Sequence, residues 1–250
     1  MKELTMPDTL ELSIHINAKP ETVFRFLSDP ELFKQWMGPG AVLDATHVTV
    51  HYPTGQTARG TLRESTPNER IVFGWGYDAP DTSTVTIQLT PTPTGTTVTL
   101  THAGLSETQK DEHAQGWTHY LSQLSSGAAN LGFAAALPAA VDNYVKAWNE
   151  TDIAARAGQL EACWEDDAAF RDSMGVADGR TALLHYITNA QKFVPGFALE
   201  LAGTPEQCHG YYRFPWLIRM PDGNVMGRGT NFGQLSGGGR FASAIGFWDK

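Results

Sequence analysis

The sequence predicts an α+β chain of two domains, each wrapping strands and helices around an apolar interior. Three observations carry this. Residues 10–124 and 138–249 each combine period-two apolar alternation with apolar stripes at helical spacing. The order of elements differs between them, strands then a long helix in the first and helices then strands in the second, so the second half is not a copy of the first. Finally, 250 residues that are 41% hydrophobic and 18% charged suffice for two cores of ordinary size.

The first strand covers Leu10–Asn17, where Leu10, Leu12, Ile14 and Ile16 alternate with polar residues. Pro20 suits the first position of a helix carrying Val23, Phe24 and Leu27, which stops at Ser28-Asp29-Pro30. From about Val48 to His102 strand follows strand. Ile71, Phe73, Trp75 and Tyr77 share one face, as do Val85, Ile87 and Leu89, then Val98, Leu100 and His102. Pro53-Thr54-Gly55, Pro67-Asn68 and Pro93-Thr94-Gly95 mark the turns. A helix from about Ser106 carries His113, Trp117, Tyr120, Leu121 and Leu124 as one stripe. Gly116 within it costs about 1 kcal/mol relative to Ala, and close approach of helix to sheet is a reason to tolerate it. The Ala/Gly-rich stretch that follows reads as a linker, partly helical where alanine favours helix, which sets the domains at 1–126 and 138–250 with 127–137 between.

The second domain opens with two helical stripes, Val141, Tyr144, Val145 and Trp148, then Ile153, Ala157, Leu160 and Trp164. Asp166-Asp167 reads as a solvated helix terminus. A short strand at Ala168–Asp172 leads to a helix bearing Leu183, Leu184, Ile187, Ala190 and Val194, stopped by Pro195-Gly196. Four strands finish the chain, at about 197–202, 206–219, 224–235 and 240–248. Turns fall at Pro221–Asn224 and Gly237–Gly239.

Composition narrows the function classes. The net charge is −9 and no Lys/Arg cluster exists, which argues against nucleic acid or an anionic membrane as partner. No apolar run reads as approaching the roughly 20 residues of a membrane span, and MKELTMPDTLEL lacks a signal-peptide core. Cys163 and Cys208 form no CxxC pair, so a cytoplasmic protein with reduced thiols is expected. His47 and His51 share a strand face but have no third ligand, so no metal is expected. No P-loop, dinucleotide fingerprint, GxSxG or HExxH occurs, and no cofactor is implied.

Five separated words carry a family likeness in the first half: QWMGPG at 35–40, ERIVFGW at 69–75, STVTIQL at 83–89, THAGL at 101–105 and HAQGW at 113–117. In this order they resemble the AHSA1-like branch of the START/Bet v 1 (SRPBCC) superfamily over about residues 8–125. Met37 departs from the pattern, since relatives usually carry a second Trp there. The resemblance implies a helix-grip fold, a curved antiparallel sheet gripping the long helix around a hydrophobic cavity. It further implies that Trp36, Phe73, Trp75, His102, His113, Trp117 and Leu121 line or close that cavity. Each aromatic also has a plain alternative as core packing.

In the second half, NYVKAWNETD at 143–152, WEDDAAFRDSMG at 164–175 and Gly179-Arg180 resemble the SnoaL-like branch of the NTF2-like superfamily. That likeness implies a cone, with three helices packed into a bent antiparallel sheet around a deep pocket. Alignment with the ketosteroid isomerases of the superfamily puts Asp172 on the general base and Tyr144 on the oxyanion-hole tyrosine. The third, protonated acid of those enzymes falls near Thr230, which is a weaker donor. Trp148, Trp216, Thr230 and Phe232 are the expected pocket wall. Asp172 as a plain turn residue accepting backbone bonds is the competing reading.

The expected function is binding of a small hydrophobic or aromatic metabolite in pockets of both domains. One alternative is an acid–base isomerase, cyclase or hydrolase using Asp172. Another is a stress- or chaperone-associated protein, as the family's name suggests. A homodimer is expected through the outer sheet face of the second domain. Segment 206–219 is apolar on both sides there, with Tyr212, Phe214, Trp216 and Ile218 opposite Tyr211, Pro215 and Leu217.

Overall fold

The first sheet begins at β1 (Asp8–Ile16), which does not pair with its neighbour in sequence but with the last strand of its unit. The strands are β2 (Ala41–Leu43), β3 (His47–His51), β4 (Thr57–Thr66), β5 (Arg70–Trp75), β6 (Ser83–Thr92) and β7 (Gly95–Leu105). They form a seven-stranded antiparallel sheet in the order β1-β7-β6-β5-β4-β3-β2. This computed structural model describes residues 8–249. The leader expectation for MKELTMPDTLEL falls mostly outside the described residues, as do the extreme ends of the limits 1–126 and 138–250. Two compact units divide between Leu131 and Gly132.

Between β1 and β2 lie two short helices rather than one, α1 (Pro20–Ser28) and α2 (Pro30–Met37). Ser28-Asp29-Pro30 stops the first helix and starts the second. Asp29 accepts the backbone N–H groups of Glu31 and Leu32 through its side chain, and Pro30 takes the first helical position. The period-two faces of β5, β6 and β7 join Val23, Phe24 and Leu27 of α1 and Trp117, Leu121 and Leu124 of α3 (Glu107–Asn149) in one buried cluster.

The stretch expected to be a linker, 127–137, is helical, and the two helices expected around it are one 43-residue helix, α3. Gly127, Gly132 and Pro138 are helix breakers within it. The alanines Ala128–Ala129, Ala134–Ala136 and Ala139–Ala140 outweigh them, because alanine is the strongest helix former. Glu112 and Asp142 bracket a stretch without Asp, Glu, Lys or Arg. It corrects the expectation that no run is long enough: α3 contains an 18-residue window of mean hydropathy 1.3, sufficient by length and composition alone to cross a membrane. The helix's apolar residues nonetheless enter cores, Trp117, Leu121, Leu124 and Ala128 in the first unit and Leu137, Val141 and Tyr144 in the second.

The second unit adds α4 (Ile153–Cys163), β8 (Trp164–Arg171), β9 (Val176–Asp178), α5 (Arg180–Phe193), β10 (Ala198–Leu201), β11 (Glu206–Cys208), β12 (Tyr211–Arg219), β13 (Val225–Leu235) and β14 (Phe241–Trp248). The sheet runs β10-β12-β13-β14-β8-β9, with β11 also paired to β12. Its pairs are antiparallel except β14 with β8, which is parallel. Trp164, expected on a helical stripe, opens β8. Asp166 and Asp167, expected to end a helix, lie within that strand, and Asp166 pairs with Arg180. The expected strand 206–219 is broken by the positive φ of His209 and Gly210. At Gly210 a side chain would stand 2.9 Å from the ring of Phe133.

Candidate functional site

Each unit holds a cavity. In the first, the walls come from β5, its following turn and α3. A cavity of about 240 Å³ is lined by Tyr52, Trp75, Tyr77, His113, Gly116, Trp117 and Tyr120, with Gln56, Gln109 and Glu112. A second of about 250 Å³ shares Trp75, Tyr77, Gln109 and His113 and adds Asp78, Thr82 and Ser83. A chain of hydrogen bonds fixes the inner wall. Trp117 Nε1–H donates to His102 Nδ1 at 3.0 Å, so His102 carries its proton on Nε2 and donates to Ser83 Oγ at 2.8 Å. Ser83 in turn donates to the carbonyl of Trp75 at 2.8 Å. Burial, helped by the nearby His113, pushes the His102 pKa down to about 3, so the ring stays neutral. His113 Nδ1 lies 2.8 Å from the Gln109 carbonyl, one helical turn back.

In the second unit an outer chamber of about 600 Å³ is lined by Trp148, Asp172, Met174, Tyr186, Phe193, Phe197, Ile218, Met226 and Trp248, among others. An inner chamber of about 40 Å³ shares Trp148, Asp172, Ile218 and Trp248 and ends at Tyr144, Trp216 and Asn231. That inner volume is far smaller than the outer one but large enough for a water-sized group.

Asp172 stands where the chambers meet, just after β8. Its Oδ1 accepts the backbone N–H of Met174 at 2.8 Å and of Gly175 at 2.9 Å, and the Tyr186 hydroxyl at 2.8 Å. Three donors on one oxygen orient the carboxylate. Its Oδ2 accepts no hydrogen bond among the described residues. Burial and the neighbouring Asp172 charge raise the Tyr186 pKa, so Tyr186 remains a neutral donor.

At the inner end Trp216 Nε1–H donates to Asn231 Oδ1 at 2.9 Å, and Asn231 Nδ2–H donates to the Tyr144 hydroxyl oxygen at 3.3 Å. With its oxygen already an acceptor, the buried Tyr144 has its own proton to give. Burial raises its pKa, which keeps that proton in place. Gly246 lets the groups converge: an added Cβ would stand 3.2 Å from Asn231 Oδ1 and 3.3 Å from Asp172 Cβ. The indole Nε1–H groups of Trp148 and Trp248 find no acceptor among the described residues. Apolar walls thus surround one carboxylate and the Tyr144 hydroxyl.

A family model described as activator of Hsp90 ATPase homolog 1-like protein matches residues 17–128. An AHSA1-like protein from Rhizobium etli is 32% identical, the match covering 49% of this chain and 84% of that one at a TM-score of 0.39. A SnoaL-like family protein from Agrobacterium tumefaciens, provisionally described as an isomerase, is 30% identical over 44% of this chain and 95% of its own, at a TM-score of 0.43. The chain belongs to the AHSA1-like family, with a SnoaL-like domain fused to it. An Aha1 dimer from Colwellia psychrerythraea is also similar, at 18% identity, covering 48% of this chain and 94% of that one at a TM-score of 0.42. Comparison with curated proteins gives no match.

In the AHSA1-like domain, Trp75, His113 and Trp117 of the expected cavity residues line the cavities described. His102 lies behind them as the buried link of the hydrogen-bond chain. Trp36, Phe73 and Leu121 are core, with Trp36 Nε1 bonded to the Phe26 carbonyl at 2.8 Å. Tyr52 and Tyr120 complete the wall. Tyr120 was legible as part of the helical stripe, whereas Tyr52 follows a strand end and gave no periodic signal. Gly116 does not mark a close approach, since nothing lies within 4 Å of where its side chain would be. That empty volume belongs to the cavity. The close approach falls at Gly127, where a Cβ would stand 2.7 Å from the ring of Phe26.

In the SnoaL-like domain, Asp172, Tyr144, Trp148 and Trp216 converge. Thr230 and Phe232 do not. On β13 the odd-numbered residues Gly229, Asn231, Gly233 and Leu235 are buried, so Thr230 and Phe232 fall on the opposite face. A one-residue slip in alignment moves a strand residue across the sheet, and Asn231 is the polar group that reaches the inner chamber. Tyr186, on α5, is the other residue the sequence reading missed. Its place one residue before the buried Ile187 gave it only a half-apolar position.

Proposed function

We propose that the chain binds small hydrophobic or aromatic molecules in the cavities of both domains, and that the SnoaL-like cavity is the better formed of the two for such a ligand. The supporting observation is the two-chamber space beside Asp172, apolar in its walls and polar only at a few convergent atoms. We read the ligand there as a cyclic ketone, enone or lactone whose ring fills the outer chamber and whose carbonyl enters the inner one.

The open Oδ2 of Asp172 and the free proton of Tyr144 favour a second reading, acid–base catalysis. Asp172 removes a proton alpha to the carbonyl, and Tyr144 donates a hydrogen bond to the enolate oxygen as charge develops there. Asp172 then returns the proton at another carbon, which isomerises the double bond. Among the described residues no acid bonds Tyr144, and Asn231 acts by orienting it, so turnover is expected on activated substrates.

One experiment separates the readings. A panel of small cyclic enones is titrated by tryptophan fluorescence and assayed for isomerisation with wild type and Asp172→Asn. Catalysis requires wild-type turnover that falls at least about 100-fold in the variant. Binding without turnover leaves a binding module, and turnover untouched by the substitution removes Asp172 from the chemistry. The free thiols of Cys163 and Cys208 fit our placement of the chain in a reducing, cytoplasmic setting. We further propose a homodimer formed through the outer face of the second sheet.

A further inference from the structure

We infer that the cavity of the AHSA1-like domain binds an alkylated organic ammonium ion. The inference rests on the reading of that cavity as a small-molecule site and names its ligand class. Five aromatic side chains line it, Tyr52, Trp75, Tyr77, Trp117 and Tyr120, and the His113 ring joins them. They do not form a stack. Tyr52 meets Tyr77 at 47°, Trp75 meets Tyr77 at 81°, Trp75 meets Trp117 at 52° and Trp117 meets Tyr120 at 69°, with centroids 5.3–6.5 Å apart. Rings set at steep angles around a space of about 240 Å³ make a box.

A cation gains from the negative face of each ring it touches, and a trimethylammonium-like group, weakly hydrated, loses little on leaving water. Charge points the same way. No Lys or Arg lines this cavity or the one adjoining it, while Glu112 lines the first and Asp78 the second. The site is also preorganised. Hydrogen bonds from Trp117 to His102, from His102 to Ser83 and from Ser83 to the Trp75 carbonyl fix the Trp117 ring and the backbone at Trp75, which lowers the ordering cost of binding. Gly116 keeps the helix side of the box open.

The test uses the full chain, with choline and benzyltrimethylammonium as probes and 3,3-dimethylbutan-1-ol as choline's uncharged isostere. Binding is followed by the indole N–H resonances of Trp75 and Trp117 and by fluorescence. Both cations are expected to bind, choline at least about tenfold tighter than its isostere. Tyr77→Ala removes one half-exposed ring and should weaken the cations about two- to fivefold. Glu112→Gln should weaken them by up to about fivefold at low salt and leave the neutral probe unchanged. Gly116→Leu fills the box and should abolish binding, with the fold checked by circular dichroism. Equal affinity for choline and the isostere overturns the cation assignment while leaving a general small-molecule pocket. No response to any of the three probes overturns both the assignment and the pocket beneath it.

Discussion

His102 shows how a single buried side chain couples the sheet, the long helix and pH. Its Nδ1 must stay unprotonated to accept from Trp117, and burial holds its pKa at about 3 against an ordinary value of about 6.5. Above pH 6.5 both folded and unfolded chains carry the neutral ring, and its contribution to stability is fully present. As pH falls below 6.5 the unfolded chain takes up a proton that the folded chain refuses. Stability is therefore lost progressively down to about pH 3, at up to about 1.4 kcal/mol per pH unit. Asn in its place keeps an acceptor and a donor but does not titrate. Urea unfolding between pH 6.5 and 5 should show a shallower loss for His102→Asn than for wild type, and parallel slopes would exclude His102 as the titrating group. At this scale the sequence was partly readable. His102 and Asp172 could be picked out by type and by family likeness, but the hydrogen-bond chain and the Asn231–Tyr144 contact depend on which face of a strand each residue takes.

Helix α3 sets two glycines on one element in opposite surroundings. Gly116 faces open cavity, and Gly127 faces the ring of Phe26, itself buried and fixed. Alanine at 116 should gain up to about 1 kcal/mol from helix propensity, with nothing to displace. Alanine at 127 gains the same propensity but must push a packed ring, at about 1–3 kcal/mol, and should leave the protein up to about 2 kcal/mol less stable. Denaturant midpoints of the two variants should move in opposite directions, and movement the same way would mean the helix does not pack at Gly127 as described. The helix also shows why elements were legible and joints were not. Alternation over β1, β5, β6 and β7 and the stripe through Trp117 and Leu121 gave their positions, because one buried face imposes a period. The run from Gly127 to Pro138 has breakers and alanines together, and local signals cannot weigh one against the other. The same limit hid α2, where Asp29 and Pro30 serve one helix as stop and the next as start.

At the scale of the whole molecule, the unexplained surface is the outer face of the second sheet. Tyr211, Phe232, Ile245 and Phe247 are 52%, 44%, 39% and 60% exposed, and they come from three adjacent strands. Phe232 stands opposite Ile245 in register, Phe247 opposite Thr230, and the Tyr211 and Phe232 rings stack at 6.3 Å. Of the outward residues named from the sequence, Tyr211 is exposed while Leu217 is already buried, so the centre of the patch lies toward β13 and β14. A contiguous apolar face of this kind on a sheet whose other side already fills a cavity needs a cover. Under the proposed homodimer, a second copy of the chain would supply the same face by two-fold symmetry. Light scattering at high micromolar concentration should return a dimer for wild type and a monomer for Phe232→Arg, since a desolvated, unpaired charge at the centre of an interface is strongly unfavourable. Because Phe232 points away from the chambers around Asp172, the same variant should titrate with cavity ligands as wild type does. A monomeric wild type would remove the dimer. A Phe232→Arg protein that stays dimeric would move the interface off this face.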